Sequence, residues 1–282
     1  MKKNIPTVSL NEFTNQATSI FHFVGADDNS TLYEKIPHRR DDHFLFILQK
    51  NGYSKIVVDF KEITLTENSI ICILPGQVHY VILVDSGTEA SLLTVDSKLI
   101  SKKNRAIFEE NYFDYQSISL NSTTSHFFNS CIELAEASEK LNTSLEVIYS
   151  LTNTCVCLFA QAYKEIKVSD TAISRKHVIT KQFKSLLLKH FKTHKSAVNY
   201  ANELNITSAY LNEAVKLITG STVSYWIQQM ILTEAKRLLY ATDNTVKEIA
   251  YQLGYDDPAY FNRYFSNLEK MTPLQFRVRY RK

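Results

Sequence analysis

The chain has 282 residues, enough for two ordinary domains that each bury a core, and its 44% apolar and 22% charged residues exclude a disordered or fibrous protein. The net charge of +3 is unevenly distributed, because residues 176–282 carry 16 Lys and Arg against 8 Asp and Glu, whereas the rest carries 16 against 21. The C-terminal part is therefore basic, at +8, which favours a polyanionic partner whose condensed counterions are released on binding.

The sequence shows no sign of export or of enzyme chemistry. The four cysteines, Cys72, Cys131, Cys155 and Cys157, lack the paired spacing of a zinc site and are expected to be reduced core residues. Pro6 and polar neighbours interrupt the N-terminal apolar stretch, and no apolar run approaches the ~20 residues that span a bilayer, so we expect a cytoplasmic protein without a membrane segment. Because no phosphate-binding Gly-rich loop or nucleophile elbow occurs, we predict neither cofactor nor enzymatic activity.

Residues 43–96 are predicted to form successive short β-strands. Two β-rich runs flank Asn51-Gly52, a dipeptide that is the strongest short-range signal for a hairpin. The later runs are separated by Pro75-Gly76 and by other Gly and polar residues. This spacing predicts an antiparallel barrel or sandwich.

After residue 100 apolar residues recur at three- and four-residue steps, which predicts a pair of helices extending to about residue 165. Two roles are equally consistent with this pair: covering the strands, or joining two subunits into a homodimer. The polar segment 166–176 lacks periodicity, and we assign it as a linker.

The C-terminal part begins with a predicted helix-turn-helix unit. Its short first helix ends near Asn205, a residue type that tolerates the left-handed conformation. Thr207 is placed to cap the second helix, and Gly220 to end it. The buried face of the second helix is predicted to consist of Leu211, Ala214, Val215 and Ile218.

The same arrangement recurs about fifty residues later. Gly254 ends the first helix, Asp257 caps the second, and Pro258 takes the first helical position, where its missing N–H costs nothing. The buried face is predicted at Phe261, Tyr264, Phe265 and Leu268. Between the units, residues 222–240 predict one long helix of roughly 28 Å at ~1.5 Å per residue, comparable with the ~34 Å between major-groove segments one turn apart.

Each second helix leaves an outward face that suits contact with DNA. Short side chains near the helix start permit close approach to a groove, and Asn, Glu and Arg can form hydrogen bonds with base edges. The alternative is an ordinary solvated face. The DNA-contacting residues predicted from these faces are Ala209, Asn212, Glu213 and Lys216 in the first unit, and Ala259, Asn262, Arg263 and Ser266 in the second.

The C-terminal residues, from roughly 178 to 282, resemble the AraC/XylS family of bacterial regulators. The segment TVKEIAYQLGYDDPAYFNRYFSNLEKMTPLQFR is similar to the second helix-turn-helix of that family, and TSAYLNEAVKLITGSTVSYWI to the first. The resemblance implies seven helices, with two recognition helices in adjacent major grooves. By position it also implies base-facing residues at Ala209, Asn212 and Glu213, and at Pro258, Ala259, Asn262 and Arg263. Where many members carry a basic residue, this chain has Glu213, which either accepts a hydrogen bond from cytosine N4 or marks a helix that contributes little.

The N-terminal part resembles the cupin-like effector domain of such regulators, through IPHRRDDHFLFILQKNG and LPGQVHYV. The second segment keeps Pro75, Gly76 and His79, but the first lacks the His-x-His and Glu that hold a metal, so no metal is predicted. The resemblance implies instead a small polar effector, such as a sugar. The residues expected to contact it are His38, Arg39, His43, His79 and Tyr80.

Together these observations predict an α+β protein. A cupin-like antiparallel barrel (about 20–98) with helices (about 100–165) forms domain 1–165, and an all-α DNA-binding domain with two helix-turn-helix units occupies 177–282. We expect a sequence-specific regulator of transcription that binds double-stranded DNA, responds to an effector, and contacts RNA polymerase if it is an activator. The alternatives are a cupin-type metal-dependent oxygenase or isomerase with an appended helical domain, and an architectural DNA binder without effector.

Overall fold

The protein divides into two compact units, Ile5–Ser169 and Asp170–Lys282. The division falls within the segment assigned as a linker. The computed structural model describes residues 7–8, 17–24, 39–112, 117–165 and 175–281.

The N-terminal unit contains two five-stranded sheets followed by helices. The sheet orders are β1-β3-β8-β5-β6 and β10-β7-β4-β9-β2, and every pairing is antiparallel except the parallel pair β1–β3. The strands are β1 (Thr7–Val8), β2 (Thr18–Val24), β3 (Arg39–Asp41), β4 (Phe44–Asn51), β5 (Ser54–Val58), β6 (Lys61–Leu65), β7 (Ser69–Ile73), β8 (Val78–Val84), β9 (Glu89–Val95) and β10 (Ile118–Ser119). The helices are α1 (Lys102–Glu110), α2 (Ser122–Lys140) and α3 (Leu145–Glu165).

Strand β4 is buried on both faces because successive side chains point to opposite sides of a strand. Leu45 and Ile47 belong to a cluster of aliphatic side chains from both sheets. On the other face, the Phe46 ring centroid lies 5.2 Å from that of Phe108 in α1 and 5.0 Å from that of Phe159 in α3. The helices therefore cover this sheet through aromatic contacts, and the cluster that both sheets contribute is aliphatic. The cluster comprises Leu45, Ile47, Ile56, Val58, Ile63, Leu65, Ile71, Ile73 and Ala90.

The predicted hairpin at Asn51-Gly52 is wrong. Strand β4 pairs with β7 and β9, whereas β5 pairs with β6 and β8, so the chain passes from one sheet to the other at this turn. Gly52 has φ +66°, and a Cβ there would lie 2.7 Å from the backbone of Thr88. Glycine is thus required at this corner, but the packing of two sheets decides which strands pair.

The tight hairpin lies instead between β5 and β6, where Val58 pairs with Lys61. Its two turn residues, Asp59 and Phe60, have φ values of 48° and 69°. The Asp59 carboxylate accepts hydrogen bonds from the Gln77 side chain at 2.8 Å and from a backbone N–H at 3.1 Å. These buried hydrogen bonds stabilise a left-handed conformation that costs a non-glycine residue roughly 1–2 kcal/mol.

Helix α3 has 21 residues and contains an 18-residue stretch with a mean hydropathy of 1.2, so by length and composition alone it is long and apolar enough to cross a membrane. Its buried side nevertheless packs within the N-terminal unit. The hydroxyl of Tyr163 accepts a hydrogen bond from the backbone N–H of Cys72 at 2.8 Å, and Phe159 contacts the β4 aromatic residues. This helix therefore belongs to the core of the unit.

The described residues of the C-terminal unit form the seven helices that the resemblance implies. Helix α4 begins at Arg175 and so includes two residues assigned to the linker. The helices are α4 (Arg175–His190), α5 (Ala197–Glu203), α6 (Ser208–Thr219), α7 (Val223–Ala241), α8 (Val246–Gln252), α9 (Pro258–Glu269) and α10 (Pro273–Tyr280).

Local side-chain chemistry sets the helix ends. The predicted N-caps Thr207 and Asp257 accept hydrogen bonds from the backbone N–H groups of Tyr210 and Ala259, and Gly220 ends α6 in the left-handed conformation. These predictions are confirmed. Three residues predicted on the buried faces are only half-buried, namely Ile218, Tyr264 and Leu268.

The long helix α7 is the central support of this unit. Its apolar residues Ile227, Met230, Ile231, Ala235, Leu238 and Leu239 are buried, together with an ion pair of 3.1 Å between Glu234 and Arg237. At its C-terminal end, Arg277 donates to the Leu239 carbonyl at 3.1 Å, and Arg281 donates to the Thr242 carbonyl at 2.7 Å. Helix α10 thus satisfies carbonyls that the end of α7 leaves without helical partners.

Candidate nucleic-acid interface

Helix α6 is the second helix of the first helix-turn-helix unit. Its buried residues Leu211, Ala214 and Val215 attach it to the unit. Ala209 and Lys216 are exposed on the opposite side, as the helical period predicts. The outward face of α6 therefore presents a short side chain near its start and a cation in its last turn.

The amide of Asn212 is engaged within the protein. Its Nδ2 donates to the Ser208 carbonyl at 3.1 Å, and its Oδ1 accepts from the Val223 backbone N–H at 3.2 Å. Because Val223 is the first residue of α7, Asn212 joins α6 to the long helix. The half-buried Asn212 thus departs from the expectation of an outward, base-facing side chain.

Glu213 is exposed on α6 and forms an ion pair with Lys176, at 2.6 Å between Nζ and Oε1. The Glu213 carboxylate raises the pKa of Lys176, chiefly through the hydrogen bond between them. This cation offsets the negative charge that would repel phosphate. Lys176 could not be predicted at this site because it lies 37 residues from Glu213 along the chain, and the contact exists only once α4 packs beside α6.

Helix α9 is the second helix of the second helix-turn-helix unit. Pro258 occupies its first turn and is half-buried, while Ala259 is exposed. Phe261 and Phe265 are fully buried and hold the helix against the unit. The predicted start and buried face of this helix are therefore present.

The outward face of α9 is more open than that of α6. Asn262 and Arg263 are exposed, and Ser266 is half-buried. The Arg263 side chain is 70% exposed, and its guanidinium lies 4.0 Å from the Asp257 carboxylate, at the outer limit of an ion pair. Such a guanidinium can donate two parallel hydrogen bonds to one acceptor pair.

In the N-terminal unit, His43 and His79 both approach Asp41. The Nε2 atoms of the two imidazoles lie 3.5 and 3.4 Å from Asp41 Oδ2, and all three side chains are buried. Asp41 was not predicted, because only strand pairing between β3 and β8 brings it to His79. The Asp42 carboxylate lies 3.1 Å from His43 Nδ1.

The other expected effector contacts differ in position. Tyr80 is half-buried and follows His79 in β8, so it points to the opposite face of the strand. The backbone of Arg39 belongs to β3, and His38 lies outside the described residues. Within the parts of the chain that the structure describes, no group of three His, Cys, Asp or Glu residues is arranged to hold a metal ion.

The four cysteines are free thiols. Cys72 and Cys155 are buried as predicted, and burial raises the pKa of the Cys155 thiol to about 12. Cys131 is half-buried, and Cys157 is exposed on the outward side of α3, so the expectation of four core cysteines is wrong for these two. For Cys157 the cause is the helical period, which turns Cys155 and Cys157 of α3 in different directions.

Comparison with known proteins finds two family profiles in this chain. An AraC-like ligand binding domain matches residues 21–148, and a helix-turn-helix domain matches residues 200–279. The two profiles thus match consecutive segments, one in each unit.

The curated relatives match this chain over part of its length. The uncharacterized HTH-type transcriptional regulator YisR of Bacillus subtilis (strain 168) is 29% identical over 91 residues, 32% of each protein. The HTH-type transcriptional activator RhaR of Enterobacter sp. (strain 638) is 36% identical over 72 residues, 26% of each. The chain thus spans about a third of the length of these relatives or less.

Among solved structures, ToxT from Vibrio cholerae O395 is 12% identical, with a TM-score of 0.43 over 93% of this chain and 97% of ToxT. Because the two profiles match consecutive segments in the two units and the helix-turn-helix unit recurs, the chain belongs to the AraC family.

Proposed function

We propose that the protein regulates transcription by binding double-stranded DNA in a sequence-specific manner through α6 and α9. The observation that carries this proposal is the pair of helix-turn-helix units, each with an exposed polar face opposite a buried apolar one. Membership of the AraC family supports it, as does the net charge of +8 over residues 176–282. The proposed role is binding, without enzymatic activity, in the cytoplasm.

In this proposal α9 reads bases more directly than α6. Arg263 donates to guanine O6 and N7, Asn262 contacts adenine, and Pro258, Ala259 and Ser266 allow close approach to the groove. In α6, Ala209 allows a similar approach, Lys216 and the Lys176–Glu213 pair contact the backbone and base edges, and Asn212 fixes the helix against α7. This division follows from the charges, because Glu213 of α6 is paired with Lys176, whereas the guanidinium of Arg263 in α9 is exposed.

Substitution of Arg263 tests this proposal. The wild-type chain is used to select sites from random DNA, and the Arg263→Ala protein is expected to lose about 1–3 kcal/mol of binding and its preference at one base position. Arg279→Ala is the matched control, because Arg279 is exposed on α10, outside both reading helices. Unchanged base preference in the Arg263→Ala protein would contradict the assigned role.

We further propose that the N-terminal unit binds a small polar effector, such as a sugar, next to the buried His43, His79 and Asp41. His38 and Arg39 complete the proposed set, whereas Tyr80 is left out of it because it points to the opposite face of β8 from His79. The support is chemical, since the buried imidazoles of His43 and His79 both lie within 3.5 Å of the buried Asp41 carboxylate. A ligand that raises the unfolding temperature of the wild-type chain and not that of His79→Ala is expected, and a silent screen of polar ligands would favour an architectural DNA binder.

The proposal includes two protein partners. RNA polymerase is the partner expected of an activator, the role that the name of the relative RhaR states for that protein. A homodimer through α2 and α3 is supported by the exposed apolar side chains of Phe127, Leu134 and Leu145. Sedimentation velocity of the full chain tests it, and a monomer at all concentrations would exclude the dimer.

A further inference from the structure

The two helix-turn-helix units touch each other directly, in addition to their shared support on α7. The loop between α4 and α5 contacts the turn between α8 and α9. Gly254 in that turn has φ +76°, and a Cβ at this position would lie 1.9 Å from the Lys192 carbonyl oxygen. The two backbones are therefore in contact, with no room for a side chain between them.

Lys195 connects the two sides of this contact. Its Nζ donates to the Phe191 carbonyl at 2.9 Å and also to the Leu253 carbonyl, which lies at the C-terminal end of α8. The same Nζ lies 4.8 Å from the centroid of the Tyr255 ring. Carbonyls at a helix C-terminus lack helical partners and carry partial negative charge, so an ammonium donor is favourable there.

From Tyr255 the contacts continue to the reading helix α9 and to α7. The Tyr255 ring centroid lies 5.4 Å from that of Phe261 and 5.6 Å from that of Tyr264. The hydroxyl of Tyr264 donates to the Gln228 carbonyl of α7 at 2.9 Å. Helix α9 is thus connected to α7 directly and to the first unit through Tyr255 and Lys195.

Lys195 immediately precedes Ser196, the N-cap of α5, so its backbone belongs to the start of the first unit while its ammonium contacts the second. If the two helix-turn-helix units were joined only through α7, they could rotate relative to each other about that helix. A second, separate contact at Lys195 fixes both the distance and the angle between them. One added base pair moves the second half-site by about 3.4 Å and rotates it by about 35°. Rigid attachment of the two units would therefore make binding sensitive to half-site spacing.

We propose that Lys195 is a specificity-determining residue, which fixes the spacing between the two DNA half-sites by bridging the first helix-turn-helix unit to the C-terminal end of α8. This inference rests on the proposed DNA-binding function. Lys195 acts by positioning α9, and it contacts no base itself.

The test measures how tightly the 282-residue chain binds three DNA duplexes. These are a selected site, the same site with one base pair inserted between the half-sites, and a duplex that keeps only the second half-site. The affinity of the wild-type protein is expected to fall about tenfold or more when the base pair is inserted. Lys195→Met is expected to bind the selected site about tenfold more weakly, the value of one charge-assisted hydrogen bond, and to distinguish the two spacings less than about threefold. Its binding to the single half-site should match that of the wild type.

Lys192→Met is the matched control, because Lys192 is exposed in the same loop and its loss removes the same charge. It is expected to keep the wild-type spacing preference, and Lys195→Arg, which retains donors and charge, should also keep it. If Lys195→Met does not fold, Tyr255→Leu removes the ring beneath the ammonium and should relax the spacing preference from the other side of the contact.

A Lys195→Met protein that retains the wild-type spacing preference overturns the inference, as does a wild-type protein that selects paired half-sites but tolerates the insertion. A wild-type protein that selects no site at all contradicts the proposed function instead. The two failures are therefore distinguishable.

Discussion

Two glycines in the C-terminal unit share a backbone conformation and differ in surroundings. Gly220 has φ +75° with no heavy atom within 4 Å of an added Cβ, and Gly254 has φ +76° with the Lys192 carbonyl oxygen 1.9 Å away. Substitution of each by alanine therefore separates the cost of a left-handed alanine from the cost of contact between the two helix-turn-helix units.

The expected magnitudes follow from these distances. Gly220→Ala should lower the free energy of unfolding by about 1–2 kcal/mol, the cost of a left-handed conformation in an L-residue. Gly254→Ala carries the same cost, and in addition the loop at Lys192 must move by about 1.5 Å to reach an ordinary contact of 3.4 Å. Overpacking of this kind costs about 1–3 kcal/mol, so the total is about 2–5 kcal/mol.

The assay is urea denaturation followed by tryptophan fluorescence. Trp226 is the single tryptophan of the sequence and lies in α7, where its indole N–H donates to the Thr219 hydroxyl at 2.9 Å. Its fluorescence therefore reports the C-terminal unit alone. If Gly220→Ala and Gly254→Ala destabilise this unit by amounts within about 0.5 kcal/mol of each other, the close contact at Lys192 is refuted.

Two further predictions concern the same unit. Arg281→Met removes hydrogen bonds to the Thr242 carbonyl at 2.7 Å and to the Asp243 carboxylate at 2.6 Å, and should cost about 2–3 kcal/mol by Trp226 fluorescence. The exposed Arg279→Met on the same helix should cost under about 0.5 kcal/mol, and equal losses would contradict the capping role. Burial, with the neighbouring Lys192 charge, lowers the pKa of Lys195 to about 8 from its ordinary 10.5. Between these pH values the unfolded chain binds more protons than the folded one, so the free energy of unfolding should rise with pH. The rise should be steeper in the wild type than in Lys195→Met, and parallel profiles would contradict the lowered pKa of Lys195.

The helix-turn-helix units were predictable because their signals are local. Thr207 caps α6 and Asp257 caps α9 through N–H groups two or three residues away, so the residue type alone marks the helix start. The apolar period places Phe261 and Phe265 inside and Arg263 outside without reference to the rest of the chain. The long helix α7 follows from the same reasoning.

The errors concern contacts between distant segments. The turn at Asn51-Gly52 has hairpin chemistry, but its two flanking strands pair with other strands, because the aliphatic faces of two sheets must be buried against each other. In the same way, Asn212 is a plausible base reader on a helical wheel. Its side chain is half-buried because α7 begins beside it, and its contact with DNA stays a prediction.

Periodicity and capping act within a few residues, so local patterns were enough to predict the two modules, the capped starts of α6 and α9, most of their buried faces, and the exposed Asn262 and Arg263. Only the packing of separate elements decided which strands pair and which charges meet. It places Lys176 in an ion pair with Glu213, Asp41 between two histidines, and Lys195 between the two helix-turn-helix units. Each of these joins residues brought together only when separate elements pack, and no local pattern encodes that choice of neighbour.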